Sequence, residues 1–263
     1  FLTFFSVYYQ YVAPMIGKVL RWLAAAADVL LPRACIVCGE RLNIDEKRLC
    51  LGCQAQMPLT HFWTMDHNMM SDKFNDQIQK YMSSSSATPW SERYAYACAL
   101  FFYSEEADYK ILLYDLKYRG DTWIGHNFGQ MLGRRTASCR WFADADAIVP
   151  VPLHWMRKWS RGYNQAEVIA EGLSAAIGVP VRTDILYRRR ATKTQTKLDV
   201  EAKASNVAGA FEATRRDGLK HIILVDDLFT TGSTLMASFV ALRAVFPPGV
   251  RISVATLGFV GRP

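Results

Sequence analysis

A fifteen-residue stretch, HIILVDDLFTTGSTL at 221–235, constrains the fold of this chain more than any other feature. Its first five residues form a short, mostly β-branched run, which predicts a fully buried strand at the centre of a parallel sheet. Asp226 and Asp227 follow at once. Because open α/β sheets bind their ligands at the carboxyl ends of parallel strands, both carboxylates are predicted to face a ligand crevice.

The second half of the stretch is rich in hydroxyl groups and contains one glycine: Thr230, Thr231, Gly232, Ser233 and Thr234. An amphipathic pattern at 235–242 predicts a helix directly after it. Free N–H groups and the positive end of a helix dipole attract phosphate, glycine lets the backbone approach, and hydroxyls add donors. A phosphate would be repelled by Asp226 and Asp227, so these carboxylates are predicted to accept hydrogen bonds from vicinal hydroxyls or to hold a divalent cation. The two halves together predict a ribose 5-phosphate ligand; the alternative is a buried strand, an acidic helix cap and an ordinary turn.

Two basic stretches are further candidates for anion binding. A second predicted strand at 146–154 precedes a turn with the candidate phosphate contacts Arg161, Gly162, Asn164 and Gln165. Arginine binds phosphate oxygens in a bidentate manner, and the alternative is a solvated basic loop. The stretch 188–197 has almost no apolar residues, which predicts a mobile surface loop or hairpin. It is predicted to close over a pyrophosphate or to contact a nucleic-acid backbone, through Arg190, Lys193 and Gln195.

Four cysteines form two C-x2-C pairs with eleven residues between them: Cys35, Cys38, Cys50 and Cys53. Such pairs suit a tetrahedral zinc ion, and four thiolates close its coordination sphere, so the predicted Zn²⁺ is structural. It would fold a segment too short to fold alone. His61 and His67 are alternative ligands, but the cysteines already satisfy the ion. Cys98 and Cys139 lack partners at ligand spacing and are interpreted as small buried hydrophobes.

The length of the chain limits how many domains it can form. With 263 residues, 51% of them hydrophobic, the chain can form one ordinary domain and a small module. The predicted parts are an amino-terminal helical segment, a zinc-binding module, a connector and an α/β domain, at 1–31, 32–60, 61–92 and 93–263. The apolar residues 1–11 are too few to cross a bilayer, and the charge follows rather than precedes them, so neither a transmembrane span nor a signal peptide is predicted. Met15 is a candidate natural start; under that hypothesis residues 1–14 are not native.

Charge and cysteine usage indicate partners and location. A net charge of +7 and a pI near 9.1 favour anionic partners such as pyrophosphate, nucleotides or nucleic acid. Six cysteines are too few for a disulfide scaffold in a chain of this length, and a metal site needs reduced thiols. The predicted location is therefore the cytoplasm.

Several motifs resemble known families when they are taken in order. The strand, Asp-Asp and Thr-Thr-Gly-Ser-Thr sequence resembles the phosphoribosyl-pyrophosphate (PRPP) signature of type I phosphoribosyltransferases. With the cysteine pairs, four further motifs and Gln195 extend the resemblance to the ComF family over residues 15–260: Lys117-Tyr118-Arg119-Gly120, Pro150-Val151-Pro152-Leu153-His154, Arg161-Gly162-Tyr163-Asn164-Gln165-Ala166-Glu167 and Asn206-Val207-Ala208-Gly209-Ala210-Phe211.

The resemblance implies a fold and a biological setting. The implied fold is α/β, with a type I phosphoribosyltransferase-like open, mostly parallel sheet flanked by helices and a small amino-terminal zinc-ribbon-like module. The ComF family is named for bacterial DNA uptake competence, which implies proteins of the competence machinery as partners. It does not settle whether a reaction is catalysed. The chain departs from the family pattern at Lys203, where the resemblance leads us to expect arginine. Lysine lacks the bidentate fork of arginine, so its hold on a phosphate would be weaker.

Two classes of function follow. In the first, PRPP binds with Mg²⁺ at Asp226 and Asp227, and its 5-phosphate lies on residues 230–234. Arg161 and the 188–197 loop hold the pyrophosphate. The catalysed reaction would be displacement at the anomeric carbon. In the second, the same pocket and loops bind single-stranded DNA without catalysis, with Tyr118, Trp159 and Tyr163 as stacking faces. A PRPP-sensing regulator is a third hypothesis, because a fold can keep a pocket and lose catalysis.

Overall fold

The computed structural model of the protein describes residues 32–84, 92–154, 159–188 and 209–261. The chain divides between Met57 and Pro58 into two compact units, which we describe separately. The predicted helical segment at 1–31, with its candidate start Met15, lies outside the described residues. Within the described parts of the chain, no helix is both long and apolar enough to cross a membrane.

The described part of the amino-terminal unit, residues 32–57, is a set of turns around the four cysteines that is followed by helix α1 (Leu51–Ala55). Gly39 has a φ of 75°, which a residue with a side chain rarely adopts, in the turn after the first cysteine pair. The carboxylate of Glu46 accepts hydrogen bonds from the backbone N–H groups of Asn43 and Leu51, both at 2.6 Å. Polar contacts thus fix the loop between the two cysteine pairs, because a unit of this size has little apolar core.

The carboxyl-terminal unit alternates strands and helices. In chain order its elements are a 3₁₀ turn (Phe62–Thr64), α2 (Met69–Ser84), β1 (Ala97–Tyr103), α3 (Lys110–Tyr118), α4 (Thr122–Thr136), β2 (Ala147–Pro150), α5 (Gln165–Ile177), β3 (Leu186–Arg188), β4 (Phe211–Ala213), β5 (His221–Phe229), α6 (Ser233–Val245) and β6 (Arg251–Val260). Strands followed by helices are the pattern of a parallel sheet.

Four of these strands form one sheet in the order β1-β6-β5-β2, and all three pairings are parallel. Helices α2, α4, α5 and α6 pack against its strands. The predicted open parallel sheet flanked by helices is therefore confirmed. Residues 58–60 add antiparallel hydrogen bonds to the outer edge of β1, including Phe102 N–H to Pro58 O at 2.8 Å. Covering an edge strand in this way removes a template for aggregation.

The structure changes the expected bounds of the central strand. The sequence pattern predicts its end at Val225, but β5 continues to Phe229 and includes Asp226 and Asp227. The reason is β6, which pairs with β5 as far as Phe229, opposite Phe259. An exposed polar residue can stay in a strand as long as its backbone hydrogen bonds are made by a neighbour.

The segment 61–92, expected as a connector, contains the 3₁₀ turn and the sixteen-residue helix α2. Met70, Phe74 and Ile78 are buried at intervals of four residues, the spacing of one helix face. The ring of Phe74 lies edge-on to that of Phe239 in α6, with centroids 5.6 Å apart. Helix α2 is therefore part of the core of the carboxyl-terminal unit.

Helices α4 and α5 pack at unusually close range because glycines lie at their crossing. A Cβ atom on Gly129 would lie 2.3 Å from the carbonyl oxygen of Ile169, and one on Gly172 would lie 2.2 Å from that of His126. No real Cβ contact is this short, so any side chain at either position would force the helices apart.

We predict that Gly172→Ala lowers the free energy of unfolding by about 1–3 kcal/mol, the usual cost of overpacking. This loss is expected although alanine has the higher helix propensity. The matched control is Gly249→Ala, because a Cβ at that position would meet no atom within 4 Å. Urea unfolding of the two variants measures the difference, and equal stabilities would contradict the proposed close approach.

Candidate functional site

A cavity of about 260 Å³ opens at the carboxyl end of the parallel sheet, where the two acids of β5 lie. Residues far apart in sequence meet in its wall. Seven residues predicted from the sequence line it: Asp226, Asp227, Thr230, Thr234, Arg161, Asn164 and Gln165. This location agrees with the rule that open α/β sheets bind ligands beyond the carboxyl ends of their strands.

The acid pair, defined as Asp226 and Asp227, is exposed to the cavity because β2 is short. Strand β2 ends at Pro150, opposite Val225, so the next two residues of β5 have no partner strand on that side. The backbone N–H of Asp227 donates a hydrogen bond of 2.9 Å to the Asp226 carboxylate. The strand therefore presents two adjacent carboxylates at the end of the sheet.

Lys117 forms an ion pair with the acid pair. Its Nζ lies 3.2 Å from Oδ2 of Asp227, and both side chains are largely buried. Burial and the neighbouring charge of Asp227 raise the pKa of Asp226 to about 7, against the opposing effects of Lys117 and Arg188. One lysine therefore does not neutralise the acid pair fully, and the site favours an additional cation or hydrogen-bond donors.

The hydroxyl-rich loop, defined as residues 230–232, connects β5 to α6. Gly232 caps α6 with a φ of 84°, and a Cβ on it would lie 2.6 Å from the buried ring of Phe229. The first intrahelical bond runs from Met236 N–H to Gly232 O, so the amides before it are not used within the helix. Thr231 and Ser233 share a hydrogen bond of 2.8 Å between their hydroxyls. The loop thus has the free amides and hydroxyls that an anion site needs.

The turn after β2 forms the basic wall of the cavity. Arg161 donates to Oε1 of Gln165 at 3.0 Å, and its guanidinium lies 5.2 Å from the ring centre of Tyr118. Gly162 has a φ of 79°, as the turn requires. Asn164 is buried: its Oδ1 caps α5 at Ala166 N–H, and its Nδ2 donates to Val151 O. Both hydrogen bonds are made to the backbone, so the side chain of Asn164 holds the turn in place whether or not a ligand is bound.

The wall also contains Lys117, which sequence reasoning missed as a site residue. Tyr118 and Arg188 line it too; the sequence predicted them only as a stacking face for DNA and as the start of the 188–197 loop. Lys117 and Tyr118 lie in the Lys-Tyr-Arg-Gly motif of the family resemblance. Arg188 ends β3, which pairs with β4 in an antiparallel hairpin. The predicted contacts Arg190, Lys193 and Gln195 lie outside the described residues, between these two strands.

The four cysteines of the amino-terminal unit form a second candidate site. The sulfur atoms of Cys35, Cys38, Cys50 and Cys53 all lie within 4.8 Å of one another, and those of Cys38 and Cys50 are 3.7 Å apart. Tetrahedral zinc with Zn–S bonds of about 2.3 Å requires sulfur atoms about 3.8 Å apart. Backbone N–H groups point at two of the sulfurs, from Cys50 to Cys35 and from Cys53 to Cys50. The cluster is compatible with a zinc module.

Comparison with known proteins finds relatives that are named as competence proteins or DNA utilization proteins. The chain is 29% identical to competence protein F of Haemophilus influenzae over 211 residues, 76% of this chain and 86% of that protein. It is 31% identical to the DNA utilization protein YhgH of Escherichia coli O157:H7, over 49% of this chain and 60% of the relative. Competence protein ComFC of Bacillus subtilis is 33% identical over 43% of each chain.

These relatives support the resemblance of the chain to the ComF family. No family model matches the chain. Among solved structures, the glutamine PRPP amidotransferase of B. subtilis, complexed with ADP and GMP, aligns with half of this chain and a quarter of its own length. The sequence identity is 20% and the TM-score is 0.34, values too low to support a conclusion about the ligand.

We predict that the ionisation of Asp226 destabilises the ligand-free chain as the pH rises from about 4 to about 7. The pKa of Asp226 is 3.8 in its ordinary state and about 7 in the fold, so the folded state holds the proton more tightly. The resulting stabilisation is complete below pH 4 and is lost as the pH rises through 7. Asp226→Asn cannot ionise and should lack this component.

Urea unfolding between pH 5 and pH 8, with a chelator present, measures the effect. The stability of Asp226→Asn relative to the wild type should increase toward pH 8. The control Asp217→Asn changes an exposed carboxylate and should follow the wild-type pH profile. Parallel pH profiles for the wild type and Asp226→Asn would show that Asp226 ionises normally.

Proposed function

We propose that the cavity binds a phosphoribosyl ligand, PRPP with Mg²⁺. The observation that carries the proposal is the order of groups on β5 and α6: two carboxylates, a hydroxyl-rich loop and a helix amino terminus, with Arg161 across the same cavity. Acids suit the hydroxyls of a ribose or a divalent cation, and the helix amino terminus suits a phosphate. A ribose 5-phosphate carries both kinds of group in one molecule.

The proposal divides the cavity into three parts. The 5-phosphate would lie on the hydroxyl-rich loop and the start of α6, at Thr230–Thr234. The ribose hydroxyls or Mg²⁺ would lie at the acid pair, where a cation would also offset the burial and the repulsion from Asp227 that raise the pKa of Asp226. The pyrophosphate would lie toward Arg161 and the 188–197 loop, whose Arg190, Lys193 and Gln195 remain predicted contacts.

Transfer would require an acceptor. Its nucleophilic atom would form a bond to the anomeric carbon while the bond from that carbon to pyrophosphate breaks, and the electron pair would leave with pyrophosphate. The residues of this chain would orient the ring and stabilise the departing charge. A chain that binds PRPP without releasing pyrophosphate in the presence of nucleobases or amines would be a sensor instead of a transferase.

The names of the relatives favour a second candidate, binding of single-stranded DNA in DNA uptake. Tyr118 lines the cavity with 64% of its surface exposed, and the ring of Trp159 is 88% exposed. Aromatic faces beside arginines suit a single strand, since bases stack on rings and phosphates pair with guanidinium groups. DNA uptake or nucleotide handling, with proteins of the competence machinery as partners, is the setting that we propose for either activity.

We also propose that the four cysteines hold one structural Zn²⁺. Three of the four thiols are buried, and the described part of the unit has few other buried apolar side chains. Bound metal would supply the folding energy that such a core lacks. Since reduced thiols are needed for this site, we place the protein in the cytoplasm.

The Asp226→Asn/Asp227→Asn double variant is predicted to bind PRPP–Mg²⁺ at least about tenfold more weakly, because charged hydrogen bonds contribute about 1.5–3 kcal/mol each. Its thermal stability should not fall below the wild-type value, because burial already penalises Asp226 when it is ionised. Asp217→Asn, on an exposed side chain, is the matched control. Calorimetric titration measures both affinities. Loss of stability with unchanged PRPP affinity would show that the acids are structural.

For the cysteine cluster, we predict one zinc per chain, measured by elemental analysis after purification under reducing conditions. Cys50→Ser should release the metal and unfold residues 32–57, because Cys50 also caps α1. The carboxyl-terminal unit should keep its unfolding transition, since it has its own core. Metal-free wild-type protein would end the zinc proposal, and collapse of both units in the variant would contradict their independence.

A further inference from the structure

Helix α2, which the sequence analysis placed in a connector, contacts the hydroxyl-rich loop through two side chains. The Lys73 ammonium donates a hydrogen bond of 2.9 Å to the carbonyl oxygen of Thr230. The Gln77 amide donates one of 2.7 Å to the carbonyl oxygen of Thr231. Two consecutive peptide groups of the loop are therefore held by donors one helical turn apart, the spacing at which side chains share a helix face.

These two bonds fix the direction in which the loop presents its amides. The described part of the chain contains no cis peptide bond, and in a trans peptide the N–H points opposite to the preceding C=O. With the carbonyls of Thr230 and Thr231 turned toward α2, the N–H groups of Thr231 and Gly232 point away from it. Among the described residues neither N–H has a hydrogen-bond acceptor.

We propose that Lys73 and Gln77 are positioning residues of the 5-phosphate site: they hold the loop carbonyls away from the ligand so that the amides of Thr231 and Gly232 face its phosphate. The inference rests on the proposed phosphoribosyl function and adds a part of the chain to it. Without the two donors, either peptide could rotate and bring a carbonyl oxygen toward the phosphate, where like partial charges repel.

The two residues differ in what they add. Gln77 is neutral and half-buried, and its Nε2 would lie only 2.8 Å from a Cβ on Gly232, so its contact is one of orientation. Lys73 is exposed, and its ammonium also lies 5.7 Å from the ring centre of Phe229, beneath the loop. Its charge adds a favourable field for an anion, which salt would screen.

The test compares Gln77→Ala and Lys73→Ala with Gln79→Ala and Lys80→Ala, exposed positions on the same helix that make no side-chain hydrogen bond among the described residues. Calorimetry measures binding of ribose 5-phosphate, PRPP–Mg²⁺ and Mg²⁺–pyrophosphate. We expect Gln77→Ala and Lys73→Ala to bind both 5-phosphate ligands roughly three- to tenfold more weakly, which is the effect of one hydrogen bond. Mg²⁺–pyrophosphate affinity should not change, because it lacks the 5-phosphate.

Two conservative variants separate positioning from packing. Lys73→Arg keeps a donor and a charge and should restore binding, whereas Gln77→Glu loses the donor, adds a negative charge near the phosphate and should bind more weakly than Gln77→Ala. Equal affinities in all variants, or equal losses for pyrophosphate and the 5-phosphate ligands, would overturn the inference while leaving the proposed function in place. A wild-type protein that binds neither ribose 5-phosphate nor PRPP would remove the proposed function and this inference with it.

Discussion

The site depends on strand β5, whose two neighbouring strands pair with different lengths of it. Strand β5 is held by β6 along its whole length, but β2 supports it only as far as Val225. The remaining residues stay extended because one neighbour is enough to keep a strand regular, and on the other side they border a cavity instead of a strand. Two carboxylates that would be unfavourable inside a sheet are thereby placed at its end, on rigid backbone.

The charge of the acid pair explains the arrangement around it. Parallel strands bring their following loops to the same edge, so the turn with Arg161 and the hydroxyl-rich loop converge on the acids, and α3 supplies Lys117. Burial and the neighbouring charge of Asp227 raise the pKa of Asp226, and the basic groups of the wall oppose this effect only in part. A ligand with phosphates at its ends and hydroxyls or a cation in between would complement the cavity along its length.

Local patterns in the sequence predicted the parts of the fold that depend on local order. The apolar run before Asp226 and the helix after Gly232 follow from periodicity and from glycine at a positive φ. Helix α2 was missed although Met70, Phe74 and Ile78 give its apolar face, because most of its other positions are polar and resemble a linker. The continuation of β5 to Phe229 could not be predicted, since it depends on pairing with β6.

The candidate site likewise combines residues that are contiguous in sequence with residues that only the fold brings together. The acid pair and the hydroxyl-rich loop are contiguous in sequence and were predicted together, whereas the ion pair of Lys117 with Asp227 joins residues more than a hundred positions apart. Asn164 was predicted as a phosphate contact from its place in a basic turn, yet its hydrogen bonds cap α5 and hold Val151. A polar residue in a turn serves either the ligand or the backbone, and only the fold distinguishes them.

The most direct test of the phosphoribosyl site is calorimetric titration of the wild-type chain with PRPP and Mg²⁺, beside a short single-stranded oligonucleotide, at two salt concentrations. The account predicts saturable binding of one PRPP per chain at both salt concentrations, with any binding of the oligonucleotide falling steeply as salt rises. Binding of the oligonucleotide with no measurable binding of PRPP or ribose 5-phosphate would contradict it, and the cavity would then be a nucleic-acid contact instead of a phosphoribosyl site.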